Sequence, residues 1–222
     1  MYVTKFQRFL PLAGIPAAIF FAGSDWTIFS IPSIEGVGKQ QAYVDWVTTH
    51  TGRFTLAAIS AALAAFFFLF FLGAVRASLR SRESGESTYS SVAFGAGIAY
   101  AGTLLLDSLV AMSLSQAGDA HDHSSVQALG WLQDVNWAPW AAASGAFLLA
   151  FGLGGLRTMA LPKVLSWVLV VLGVLSITGP TGELVLIVTP LWMIATSIVL
   201  ARRTTADAGM VPAPRAPAPS IG

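Results

Sequence analysis

Residues 54–75 run through 22 positions without one charged side chain and include Phe66-Phe67-Phe68-Leu69-Phe70-Phe71. An apolar helix of about 20 residues is what crosses the roughly 30 Å of hydrocarbon in a bilayer, so this run reads as a membrane span. Composition extends that reading to the whole chain. Of its 222 residues, 55% are hydrophobic and only 10% charged, where soluble domains carry roughly 25% charged residues. The mean hydropathy is +0.70. A net charge of +1 leaves no basic surplus for nucleic acid. The absence of cysteine excludes disulfides, thiol chemistry, iron–sulfur clusters and c-type haem attachment.

Three further spans are legible at 9–29, 92–114 and 137–156. Residues 161–201 are too long for one crossing, and Gly179-Pro180-Thr181-Gly182 divides them into 161–178 and 184–201. Six spans place the connections alternately on two sides. Ten of the twelve Lys and Arg residues then share one side, and only Lys39 and Arg53 lie on the other. By the positive-inside rule the basic side is cytoplasmic. The expected fold is all-α: a polytopic membrane protein, a bundle of six transmembrane helices over residues 1–203 with both termini cytoplasmic. Pro11 and Pro16 interrupt the first apolar run and no A-x-A site follows it, so it is expected to stay as an uncleaved span. Residues 204–222, rich in Pro and Ala, are expected to form a disordered cytoplasmic tail. Arg outnumbers Lys nine to three in a chain rich in Ala and Gly, which suits a high-GC genome and a bacterial plasma membrane.

The outer connections carry their own pattern. Tyr43, Trp46, Val47 and His50 share one helical face, so 39–50 is expected to lie in the interface as a short amphipathic helix. Val126, Leu129 and Leu132 suggest a second such element. Trp26, Trp46, Trp131, Trp137 and Trp140 fall at the outer boundary, as an aromatic belt would. A weak echo links Leu72-Gly73-Ala-Val-Arg76 with Leu153-Gly154-Gly-Leu-Arg157 and raises the question of a duplicated hairpin.

Acidic residues show the opposite asymmetry to the basic ones. Glu83, Glu86 and Asp207 are on the cytoplasmic side, and the other eight lie outside or in the outer half of a span. Several end stripes of small residues at helical spacing. These are Gly14, Ala18, Ala22 and Asp25; Arg53, Ala57, Ser60 and Ala64; Ala96, Tyr100, Thr103 and Asp107; and Asp134, Trp137, Ala141 and Ser144. In lipid such stripes are packing faces. A charge on one faces the bundle, where it seeks a partner or water. The expectation is an outward-facing polar pocket lined by Asp25, Arg53 and Asp107, with His50, Asp134 and Glu183 near its rim. The competing account has Arg53 pairing with Asp25 or Asp107 as a helix clamp. Glu183 also suits the positive end of a helix dipole.

Asp119, His121, Asp122 and His123 invite a metal reading, since two imidazoles and two carboxylates lie within five residues. A solvated acidic loop is the competing one. No histidine lies deep in a span, no lysine lies in one, and there is no P-loop. No cofactor is expected on these grounds.

The proline-started Leu161-Pro162-Lys163-Val-Leu-Ser-Trp167, the Gly-Pro turn and Leu191-Trp192 followed by Ala201-Arg202-Arg203 resemble a broad group of uncharacterised bacterial six-span integral membrane proteins. That resemblance covers residues 9–203 and implies topology and membrane location, without an activity. Three functions stand open. The first is a non-catalytic membrane scaffold or accessory subunit, working with a membrane-protein partner or a second copy of the chain. The second is a small transporter or ion- or proton-coupled permease using the outer pocket. The third is a membrane-embedded hydrolase or transferase.

Overall fold

The computed structural model describes residues 9–28, 31–36, 38–85, 88–178 and 182–209, and over them every regular element is helical. A 3-10 turn, Leu10–Ala13, leads into α1, Gly14–Ile28. There follow α2 (Lys39–Thr49), α3 (Thr51–Arg80), α4 (Thr88–Asp119) and α5 (His123–Val135). The chain ends in α6 (Trp137–Thr158), α7 (Lys163–Ile177) and α8 (Gly182–Gly209). Four apolar stretches are long enough to cross a membrane: Thr51–Arg80, Thr88–Asp119, His123–Thr158 and Leu184–Thr204. At 15 residues each, α1 and α7 are shorter. The prolines explain the stepped start of the chain. Pro11 sits at the head of the 3-10 turn and Pro16 in the first turn of α1, where a missing N–H costs least.

The helices form a ring. α8 packs on α1, α1 on α3, α3 on α4, α4 on α6 and α6 on α7, which returns more lightly to α8. Large apolar side chains such as Leu56, Phe66, Leu109, Val171 and Leu191 point outward, while Ser60, Ser144, Ser166, Thr196 and Ser197 are buried. Apolar side chains thus cover the exterior as well as filling the core, which suits a lipid-facing surface. Three buried hydroxyls on α8 donate to the carbonyl one turn back: Thr189 to Val185 at 2.7 Å, Ser197 to Met193 at 2.7 Å, and Thr196 to Trp192. At the centre, Phe68 meets the Tyr100 ring edge-on at 5.1 Å and the Phe147 ring at 5.4 Å. Each such aromatic pair is worth about 0.5–1.5 kcal/mol beyond its buried area.

Between α6 and α7 the backbones touch. A methyl group on Gly152 would stand 2.8 Å from the Ser166 carbonyl oxygen, and one on Gly173 would stand 2.8 Å from the Leu149 nitrogen. Only glycine fits at either place. The hydroxyls of Ser144 and Ser176 close the same seam at 2.6 Å.

Two helices cap one end of the ring. α2 packs on α4 and α5, and α5 packs on α4. Tyr43, Val44 and Val47 are buried there with Ile34, Leu114 and Val126 in a second apolar cluster. The face expected to lie flat in the interface is thus turned inward against protein, and His50 stands just past the end of α2.

Several expectations need correction. Ala22 is exposed, and the packing face of α1 runs instead through Ala17, Ala18, Phe21 and Ser24. Trp140 does not belong to an outer belt but is buried at 6% exposure, while Trp26, Trp131 and Trp137 are exposed. The stripe from Asp134 to Ser144 is not one face. Two helices meet at Asn136, and Asp134 and Trp137 are exposed while Ala141 and Ser144 are buried. α8 continues to Gly209, through residues expected in the tail, and 210–222 lie outside the described residues. So do Glu86 and Gly179-Pro180-Thr181.

Candidate functional site

Under the two cap helices the ring opens into a cavity of about 450 Å³. Three of the expected pocket residues line it, each from a different helix: Asp25 from the last turn of α1, Asp107 from α4 and Asp134 from α5. Phe21, one turn below Asp25, and Leu104, one turn below Asp107, form an apolar floor with Ala61 of α3. No lysine, arginine or histidine is among the described lining residues.

Asn136 organises this site. It ends α5 and begins α6: its backbone N–H donates to Gln133 O at 3.2 Å, and its carbonyl accepts from Trp140 N at 3.4 Å. At this corner the side chain turns inward, and its amide nitrogen donates to an Asp107 carboxylate oxygen. Charge-assisted hydrogen bonds of this kind are among the stronger ones. Trp140 stands one turn further along α6 and joins the wall. Across the cavity mouth the Tyr43 hydroxyl donates to Gln133 Oε1 at 3.3 Å, tying α2 to α5. Burial pushes the Tyr43 phenol above its ordinary range, and the nearby Asp134 carboxylate pushes it the same way, so it stays a donor at neutral pH.

The remaining expected residues lie elsewhere. Arg53 is exposed on α3, with its guanidinium 5.8 Å from the centre of the Trp46 ring. His50 stacks on the same indole at 4.4 Å, and its Nδ1 is 2.8 Å from the Trp46 carbonyl oxygen. Neither is among the described residues that line the cavity. Glu183 stands in the first turn of α8, and its side chain lies outside the described residues.

Among the described residues no group of three or more His, Asp or Glu side chains is placed to hold a metal ion. The loop expected to offer one uses its groups otherwise. Asp122 caps α5, accepting from Ser125 N at 3.2 Å, Ser125 Oγ at 2.6 Å and Ser124 Oγ at 2.7 Å. Those bonds hold its carboxyl below the usual range, at about 2. His121 adopts φ 53° with Nδ1 3.1 Å from Asp119 O, and His123 opens α5.

Tyr43, Gln133, Asn136 and Trp140 belong to the site although sequence patterns did not nominate them. The available signal was Asn136 itself, a turn-forming amide set between two helical stretches and followed by Trp137-Ala-Pro139. Carboxylates, amides and rings around a cavity are equipment for binding. In comparisons with protein-family models, curated proteins and solved structures, none matches this chain.

Proposed function

We propose that the chain is a six-span integral membrane protein of a bacterial plasma membrane with both termini cytoplasmic. We further propose that it works as a small transporter or ion-coupled permease with the cavity as its substrate site. The convergence of three carboxylates from α1, α4 and α5 on one cavity carries this reading. Support for six crossings comes from the segregation of ten of the twelve basic residues to one side. It also comes from the packing of α1 along α3 and α8, and of α7 along α6. With the 3-10 turn before it, α1 reaches further than its own 15 residues, about 22 Å at 1.5 Å per residue. Cavities of about 300–1,000 Å³ with an apolar lining and a few placed polar groups are the usual form of small-molecule sites. A scaffold whose charges only clamp helices would seat these carboxylates against cations, and the described lining offers none.

The test is the thermal stability of detergent-purified protein at about pH 5 to 8 with a panel of cations, wild type against Asp25→Asn and Asp107→Asn. A ligand that binds only the folded state at 100 times its Kd adds about 2.7 kcal/mol. The expected result is a cation that raises the wild-type Tm and leaves both variants unmoved, followed by uptake of that cation into vesicles. No response to any cation, with both variants merely less stable, would return the chain to the scaffold reading.

A further inference from the structure

We propose that the outer surface of α7 and α8 holds an anionic phospholipid. Its phosphodiester head lies beside Lys163 and Arg202, at the end away from the cap, and its acyl chains lie on the apolar faces of the two helices. This inference is independent of the cavity and rests only on the reading of the chain as membrane-spanning. Three cations of this end are already used within the protein. Arg76 lies over the Phe94 ring, Arg157 lies over the Tyr89 ring, and Arg203 donates to the Met159 carbonyl. That last bond ties α8 to the turn between α6 and α7, and so brings Arg202 and Lys163 to the same part of the surface. Both are exposed. Glu83 is the one carboxylate among the described side chains at this end, and it is taken up by Ser90. Lys163 also opens α7, where no acidic residue stands in the first turn and no side chain caps the helix. A cation is disfavoured at the positive end of a helix dipole, so an anion there relieves both charges.

Beneath each cation runs an apolar stripe. Lys163, Trp167, Val171 and Val174 follow one face of α7 at 4-4-3 spacing, and all four are exposed. Arg202, Ile198, Ala195 and Leu191 follow one face of α8 in the opposite direction, and all four are exposed. Each stripe spans about 16 Å at 1.5 Å per residue, close to half of the roughly 30 Å hydrocarbon thickness. The two helices are neighbours in the ring and touch only lightly. Trp167, 58% exposed and one turn below Lys163, stands where an indole meets the headgroup boundary. Two cations above two apolar stripes, each the depth of one leaflet, are the complement of one anionic head on two acyl chains. A free phosphate would engage the cations and leave the stripes unused. A zwitterionic lipid would bring a third cation to the two already there.

The experiment measures the Tm of the full-length protein in a neutral detergent at fixed ionic strength. Dioleoyl phosphatidylglycerol, dioleoyl phosphatidylcholine or sodium phosphate is titrated in. Phosphatidylglycerol is expected to raise the wild-type Tm, with phosphatidylcholine at least about fivefold weaker and sodium phosphate inactive. Lys163→Gln and Arg202→Gln are each expected to raise the half-saturating phosphatidylglycerol concentration about fivefold, the scale of one basic residue at an anionic surface. Both side chains are exposed, so both variants fold. Lys39→Gln removes an exposed cation at the cap end and is expected to leave the titration unchanged. Equal responses to the two lipids would overturn the role of charge. A response to sodium phosphate equal to that to phosphatidylglycerol would overturn the lipid, and an equal loss in Lys39→Gln would overturn the location. Membrane insertion is read separately, by alkaline extraction of membranes carrying the chain. Release into the supernatant would overturn the membrane reading together with this proposal, whereas a retained chain that ignores phosphatidylglycerol would overturn the proposal alone.

Discussion

Charges at both ends of the helical ring close helices, as Asp122 and Arg53 do at the cap, but only at the cap end do carboxylates also line a cavity. At the end away from the cap, cations are spent on closing helices. Arg76, in the last turns of α3, lies 4.4 Å over the Phe94 ring of α4, and Arg157 at the end of α6 lies 5.7 Å over Tyr89 of the same helix. Arg203 donates to the Met159 carbonyl, and Glu83 accepts from Ser90 N at 3.0 Å and Ser90 Oγ at 2.6 Å, capping α4. At the cap end, carboxylates gather around an opening whose described lining has no cation. Charge at a helix terminus is easily satisfied by backbone groups and ring faces. Charge left on a cavity wall is expensive unless it finds a partner or water.

The largest effect expected from sharpening this contrast comes from the tight α6–α7 seam. Gly152→Val pushes side-chain atoms into the Ser166 carbonyl and the Val170 nitrogen, both backbone atoms 2.8 Å from the new Cβ. Overpacking typically costs about 1–3 kcal/mol and more where backbone must move. The matched change at the cap, Gly130→Val, places its Cβ 2.7 Å from the Tyr43 ring and 2.8 Å from Ile34 Cδ1, side chains that can shift. Thermal melts in one detergent should rank Gly152→Val well below Gly130→Val. The reverse order would mean that the cap, and not the seam, holds the ring together.

Next comes Asn136→Leu, which leaves the Asp107 carboxylate without its amide donor. A loss of about 1–3 kcal/mol is expected. Asp107→Leu in the same chain should recover much of it, since replacing both partners removes the orphaned charge. Additive losses in a double-mutant cycle would show that the two side chains do not act as a pair.

Smaller still is Arg76→Gln, which removes the cation above Phe94 at an expected cost of about 0.5–1 kcal/mol. It should leave every ligand response at the cap unchanged, and a changed response would break the separation of the two ends.

Smallest is Asp122→Ala, the lost helix cap. Because the folded carboxyl sits at about 2, below its unfolded value of 3.8, the contribution is complete above about pH 5 and fades as pH falls toward 2. The Tm difference between wild type and variant should therefore be constant from neutral pH down to about 5 and shrink below that. A difference that grows on acidification would contradict the cap.

Much of the site was legible before folding, though not all for the right reason. Asp25, Asp107 and Asp134 line one cavity, although Asp134 is exposed and its stripe is not one packing face. For α1, however, the face differs from the expected stripe, because Ala22 points out while Phe21 and Ser24 point in. A 4-4-3 spacing constrains a stripe only to about a third of the helix circumference, and neighbouring α3 and α8 select which part is used. Arg53 shows the same weakness. Its stripe mates Ala57, Ser60 and Ala64 are buried, yet Arg53 itself is exposed beside Trp46, while its neighbours Thr51 and Thr55 pack on Ser115 of α4.

By itself the sequence determined what depends on neighbours along the chain. Apolar runs dictate helices, prolines dictate where α1 and α7 begin, and the scarcity of charge dictates an apolar exterior. Tertiary structure alone decided how each helix is rotated about its axis and how α5 meets α6 at Asn136. Those choices carried Trp140 from an expected belt into the cavity wall, turned Tyr43 inward over Gln133, and aimed the Asn136 amide at Asp107. The physical reason is that hydropathy is a property of a segment. Rotation is set by contacts between segments, here backbone meeting backbone at Gly152 and Gly173 and rings interlocking around Phe68.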